Sequence, residues 1–155
     1  MTPQTEELLA AGRQRAETTP MPYSGAVTPS EAHALLHANP TIRLIDVRTR
    51  AERDWIGRVA LDHAQEIGIE WNTYPGGAQN STFLAELQAA VSTEQVLLFL
   101  CRSGVRSRHA ATLAAANGYP HSFDILEGFE GDRDTDGHRK TVNGWCVAGL
   151  PWIGA

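Results

Sequence analysis

Residues 96–107 read VLLFLCRSGVRS, from Val96 to Ser107. The first five are apolar without alternation. A strand with one wet face shows a polar residue at every second position, whereas a strand covered on both faces does not, so 96–100 reads as the central strand of a parallel sheet. Cys101 closes that strand. A short loop follows, leading into an alanine-rich helix from Ser107 to Asn117, with Gly118 as its left-handed stop. In open parallel sheets ligands collect beyond the carboxyl ends of the strands, which is where this sequence places Cys101.

The loop Arg102-Ser103-Gly104-Val105-Arg106-Ser107 carries the chemistry. A tight strand-to-helix turn directs successive backbone N–H groups inward as an anion-binding nest, and the helix N-terminus adds unpaired N–H groups with partial positive charge. Gly104 permits a backbone conformation that other residues tolerate poorly. Arg102 and Arg106 are expected to add full positive charge. Each feature favours a thiolate over a thiol at Cys101. The alternative is a cysteine that merely fills the core as a small apolar residue. The glycine, the arginines and the helix arriving together favour the reactive thiol.

Outward from this segment, strands and helices alternate. Thr28-Pro29-Ser30-Glu31 has the cap, first-turn proline and third-position glutamate of a helix start, followed by Ala32, Leu35 and Leu36 and ending near Asn39-Pro40. Residues 42–47 (IRLIDV) form a strand, 51–55 a short helix and 63–67 a polar strand. Asn80 or Ser81 caps a helix carrying Phe83, Leu84, Leu87 and Val91. Residues 123–126 form the next strand, and 144–147 a last short turn. Such alternation predicts an α/β fold, a parallel sheet with helices on both faces.

Residues 5–17 form an amphipathic helix, with Leu8, Leu9 and Ala16 opposite Glu6, Glu7, Arg13, Gln14 and Glu17, before Pro20 and Pro22 break the chain. The organisation read from this is an N-terminal helical arm, 1–22, and a domain, 23–155. Three fates are open to the arm: packing back, pairing with a second copy as a homodimer, or fraying.

The 155-residue chain has 42% hydrophobic and 20% charged residues, an ordinary globular composition. It lacks a long apolar run or a secretion-type leader, and the expected compartment is the cytoplasm. A formal charge of −5 speaks against nucleic acid or an anionic membrane as partner. Two cysteines, Cys101 and Cys146, are too few for a disulfide scaffold.

Cys101-Arg102-Ser103-Gly104-Val105-Arg106-Ser107 resembles the CxxGxR active-site loop of single-domain bacterial rhodaneses. Asp46-Val47-Arg48 with Glu52 is similar to that family's D-V-R-x-x-x-E segment, and Leu126-Glu127-Gly128 to its L-x-G turn. Gly144-Trp145 through Ala148-Gly149-Leu150-Pro151 resembles its closing G-W-x-x-A-G-L-P. These segments occur in the family's order over residues 25–152. The resemblance implies a rhodanese-like fold with a mostly parallel sheet of about five strands. It also implies a thiosulfate sulfurtransferase-like activity: Cys101 takes a sulfane sulfur from a small anionic donor as a persulfide and passes it to cyanide or a thiol. No metal or organic cofactor is implied. Asp46, Arg48 and Glu52 are implied as supports, with Arg48 in an ion pair that holds the neighbouring turn. Some rhodaneses that favour thiosulfate carry extra basic residues where Ser103 stands, which leaves the donor open.

Two other functional classes share part of this pattern. Cysteine phosphatases use C-x5-R, often with a histidine before the cysteine; here the spacing is C-x4-R after Leu100, so phosphatase or arsenate-reductase chemistry is disfavoured. A non-catalytic module that senses sulfur or binds a partner would use the same fold, with the arm as its contact. Trp71 and Phe129 are pocket-mouth candidates, with packing preferred. Asp132-x-Asp134-x-Asp136-Gly137 opens like a calcium loop, but Asn143 stands where a bidentate glutamate is required, so an acidic turn is preferred, with His138 in it. His109 reads as a surface residue. Cys146 is a resolving thiol only if it comes within about 7 Å of Cys101, Cα to Cα.

Overall fold

The computed structural model describes residues 1–154; Ala155, the last residue of the domain as read from sequence, lies outside the described residues. The elements are α1 (Pro3–Thr18), β1 (Gly25–Val27), α2 (Pro29–Ala38), β2 (Arg43–Asp46), α3 (Arg50–Trp55), β3 (Arg58–Val59), β4 (Glu66–Gly68), α4 (Phe83–Ala90), β5 (Leu97–Leu100), α5 (Val105–Ala116), β6 (Ser122–Ile125) and β7 (Trp152–Ile153). Five strands form one sheet in the order β1-β6-β5-β2-β4, every neighbouring pair parallel. This is the α/β architecture expected from the alternation. Among the described residues no helix is long and apolar enough to cross a membrane.

Strand β5 shows why its sequence lacks alternation. Leu98 and Leu100 enter one core cluster with Leu9, Leu35, Leu36 and Trp145, whereas Leu97, Phe99 and Cys101 enter the other with Phe83, Leu87 and three alanines of α5. Both faces are dry, so both sets of side chains are apolar. Those alanines, Ala110, Ala111 and Ala114, are fully buried and let α5 lie close to the sheet. Helix α2 starts as read: the Thr28 hydroxyl accepts the Glu31 N–H while the Glu31 carboxylate accepts the Thr28 N–H.

Several boundaries differ from the sequence reading. The edge strand lies at Glu66–Gly68 rather than 63–67, because Asp62 holds the N–H groups of Ala64, Gln65 and Glu66 in a turn. Gln65 meanwhile points inward and donates to the carbonyls of Leu36, Asn39 and Ile42. The cap of α4 is Thr82, with Asn80 two residues earlier accepting its N–H and hydroxyl. Helix α5 begins at Val105, two residues before the predicted start. Strands β1, β3 and β7 are too short for a periodic signal; β3 and β7 form a separate antiparallel ribbon.

Helix α1 lies against β1 and α2. Its Leu9 is buried in the core, and Arg15 reaches the Ala26 carbonyl at 2.8 Å and the Glu31 carboxylate at 2.6 and 3.0 Å. Burial of Leu9 is the main tie, because a partly exposed ion pair contributes little. Leu9→Ala is expected to cost about 2–4 kcal/mol. A lowered midpoint in urea unfolding, with protease cleavage within residues 1–22 appearing first, checks this.

Candidate functional site

Cys101 follows the carboxyl end of β5, and its side chain is 1% exposed. Gly104, at φ +108°, is the left-handed N-cap of α5, a conformation that glycine adopts freely. That turn aims the Gly104 N–H at Cys101 Sγ, 3.0 Å away. It also places Arg106 and Ser107 in the first helical turn. Among the described residues, no acceptor takes the backbone N–H groups of Arg102, Ser103, Val105 or Arg106. The loop thus presents unpaired donors at a helix N-terminus, beside a sulfur that already accepts one amide.

Neighbouring turns hold the loop from below. Phe129 N–H donates to the Cys101 carbonyl at 2.8 Å, and the N–H groups of Glu130 and Gly131 share the Arg102 carbonyl at 3.0 and 3.1 Å. Gly128 packs directly under this peptide; a Cβ there would stand 2.5 Å from the Arg102 carbonyl, so only glycine fits. The closing segment docks on the same turn: Gly144 N–H donates to Glu127 and Trp145 N–H to the Gly128 carbonyl, both at 2.9 Å.

The two loop arginines differ in their surroundings. Arg106 makes a bidentate pair with Glu52, at 2.6 and 2.8 Å, and Arg102 is exposed. Opposite charge partly offsets the Arg106 guanidinium, whose charge still acts on Cys101 alongside the Gly104 amide. Glu52 also accepts the Thr49 N–H and hydroxyl, closing the capping box of α3. One carboxylate therefore joins the β2–α3 turn to the cysteine loop. Burial alone would raise its pKa, but the hydrogen bonds and charge of Arg106, with those from Thr49, outweigh that and hold it at about 2.

Asp46 and Arg48 are both fully buried and paired through two hydrogen bonds, at 3.0 and 2.8 Å. Arg48 also donates to the Gly57 carbonyl at 2.8 Å, and its guanidinium lies over the Phe129 ring, 4.3 Å from the centroid. Phe129 is thus a buried packing residue rather than a pocket wall. Trp71 packs edge-on against Phe83 and stacks with the exposed His109. A cavity of about 620 Å³ lies past the β4 edge, lined by Arg48, Arg53, Gly68, Asn80 and Glu86, and does not include Cys101.

Cys146 packs against the opposite core cluster from Cys101, so the fold places the two thiols on different sides of the sheet. In the acidic loop the Asp134 carboxylate accepts the N–H groups of Asp136 and His138 and the Thr141 hydroxyl, which makes it the hub of a turn.

One site residue went unnoticed in the sequence. Asp124 of β6 is 1% exposed and sits across from Phe99 of β5. Its Oδ1 accepts the Ser107 hydroxyl at 2.5 Å, and Ser107 Oγ lies 3.3 Å from Cys101 Sγ. The available signal was an ionisable residue inside the otherwise apolar run Phe123–Leu126, on the strand face shared with Phe99 and Cys101.

The family model for the rhodanese-like domain matches residues 28–134. An uncharacterized protein of Rickettsia conorii is 32% identical over 124 residues, spanning 79% of this chain and 92% of that protein. The crystal structure of Rv0390 from M. tuberculosis superposes with a TM-score of 0.77 at 39% identity, covering 86% of this chain and 99% of that one. The solution structure of the polysulfide-sulfur transferase homodimer from Wolinella succinogenes has a TM-score of 0.58 at 18% identity, covering 99% and 95%, a likeness of fold.

The depressed Glu52 pKa makes a stability prediction. Its contribution is present above the usual carboxylate value of 4.5 and is lost as pH falls from there towards about 2. Glu52→Gln is therefore expected to unfold more easily than wild type at pH 7, by about 1–3 kcal/mol. Urea midpoints of both proteins from pH 7 to pH 3 should converge below the upper end of that window.

Proposed function

Because this chain belongs to the rhodanese-like domain family, we propose that it is a sulfurtransferase that carries a sulfane sulfur on Cys101 as a persulfide. The observation that carries this reading is the Gly104 N–H hydrogen bond to Cys101 Sγ, within a loop whose other amides have no protein partner. A sulfur that accepts a backbone amide at a helix N-terminus is stabilised as an anion, and an anion is the nucleophile. The unpaired amides offer donors to the outer sulfur of a persulfide or to the oxygens of an incoming anion.

The reaction has two displacements. In the first, the Cys101 thiolate attacks the outer sulfur of the donor. A Cys101–sulfur bond forms, the donor's sulfur–sulfur bond breaks, and its electron pair departs with the leaving group, sulfite when the donor is thiosulfate. In the second, the acceptor, cyanide or a thiolate, attacks the outer sulfur, and the Cys101 thiolate leaves with the electrons of the persulfide bond. No external oxidant or reductant enters. Arg106, clamped by Glu52, holds the loop in shape.

For the donor, Ser103 leaves the loop without the additional basic group associated with thiosulfate preference. The Wolinella relative's description as a polysulfide-sulfur transferase makes polysulfide the second donor to try. Exposure to each donor should add about 32 Da, one sulfur atom, to the intact protein. The adduct should be absent in Cys101→Ser, as should thiocyanate formation from cyanide. Wild-type protein that gains no sulfur from either donor would overturn the proposal.

A further inference from the structure

Every acid paired with an arginine in this fold contrasts with Asp124. Glu31 has Arg15, Asp46 has Arg48 and Arg53, Glu52 has Arg106, Asp54 has Arg50, and Glu66 has Arg53. Asp124 is buried to 1% exposure between β1 and β5, opposite Ala26 and Phe99, with no salt bridge among the described residues. The side-chain hydrogen bond it does make comes from Ser107. In the observed arrangement the Cys101 S–H donates to Ser107 Oγ at 3.3 Å, and the Ser107 O–H donates to Asp124 Oδ1 at 2.5 Å. A buried nucleophile thus ends a chain of two hydrogen bonds that begins at a buried, uncompensated carboxylate.

We propose that Asp124 is a positioning residue that takes up the Cys101 proton through the Ser107 hydroxyl whenever the sulfur becomes anionic. The proton of Cys101 passes to Ser107 Oγ as the Ser107 proton passes to Asp124. The sulfur–hydrogen bond breaks, an oxygen–hydrogen bond forms on the carboxyl, and Ser107 ends as it began. The polarity of the chain is now reversed: the Asp124 O–H donates to Ser107, and the Ser107 O–H donates to Sγ. One negative charge has moved from carboxylate to sulfur without any change in the total. The sulfur gains a second donor in addition to the Gly104 amide. Each time Cys101 leaves as a thiolate at the end of a transfer, the same hydroxyl is in place to receive it.

The surroundings of Asp124 favour this exchange. Burial raises its pKa, and the Ser107 hydrogen bond and the Arg108 charge offset that only in part, so it stands at about 7. The titratable and charged groups facing it are few: Arg108 from α5, Cys101 after β5, and Tyr23 from the segment before β1. The β1 strand itself contributes Gly25, Ala26 and Val27, none of them ionisable. A negative sulfur across one hydroxyl repels a carboxylate, so the relay predicts that the two protons leave in coupled steps.

The relay serves the sulfur-transfer reading above, but its test needs no sulfur donor. The rate of Cys101 alkylation by iodoacetamide is measured against pH on the full chain, with peptide mass spectrometry separating Cys101 from Cys146. Wild type should show two inflections and Asp124→Asn one, because the coupled proton is gone. A purely structural role would scale the rate without removing an inflection. Profiles of the same shape in both proteins would overturn the relay. Should Asp124→Asn fail to fold, the 13C carboxyl shift of Asp124 is followed in wild type before and after Cys101 alkylation. Loss of one of two titration steps supports the relay, and an unchanged curve overturns it. Persulfide formation together with matching profiles defeats the relay alone. A two-step profile without any persulfide defeats the transfer reading alone.

Discussion

Asp46 and Arg48 are two full charges without solvent, separated by one residue at the end of β2. Burying either alone would be costly, and removing one strands the other. The pair is therefore an all-or-none feature, formed only when the surrounding elements are in place. Arg48 Nη2, which donates to Asp46, also donates to the Gly57 carbonyl where α3 gives way to β3, and the flat face of the guanidinium covers Phe129 after β6. Phe129 in turn donates its N–H to the Cys101 carbonyl. The cysteine loop is thus connected, through one buried ion pair, to both the β2–α3 turn and the β6 exit.

A second link makes the position of the loop more specific. Glu52 caps α3 and grips Arg106 in the first turn of α5, so two helix starts share one carboxylate. An arginine committed to this clamp organises more than it electrifies. The sulfur thus meets fixed dipoles, the Gly104 amide and the Ser107 hydroxyl, within reach of a cation that is already paired. Fixed dipoles need no rearrangement when charge develops on an atom they face.

Burial on both faces of β5 explains why the site lies where it does. With Leu98 and Leu100 in one cluster and Leu97, Phe99 and Cys101 in the other, the strand has no polar side along its length. Polar groups gather instead at its carboxyl end, where α5 and the turns after β2 and β6 converge. The same two-sided burial forces any polar residue on a neighbouring strand to find a partner inside. Asp124 finds Ser107, and through it the cysteine.

The readable part of this protein is the part encoded by neighbours in the chain. The apolar run before Cys101, the Thr28–Glu31 helix start and the glycine in the loop are local patterns with local physical causes, and from them the α/β alternation and the cysteine loop follow. Strands of two or three residues such as β1, β3 and β7 carry no period, because their pairing energy comes from partners elsewhere in the chain. The destination of the Arg106 charge and the pairing of Ser107 with Asp124 also join residues 54 and 17 positions apart. Those contacts exist only once the sheet has ordered its strands and α5 has docked upon them. Sequence alone determined the cysteine loop, since a backbone turn is built by adjacent residues; the tertiary structure decided what surrounds its sulfur, since hydrogen bonds and ion pairs form between groups that only folding brings within about 3 Å.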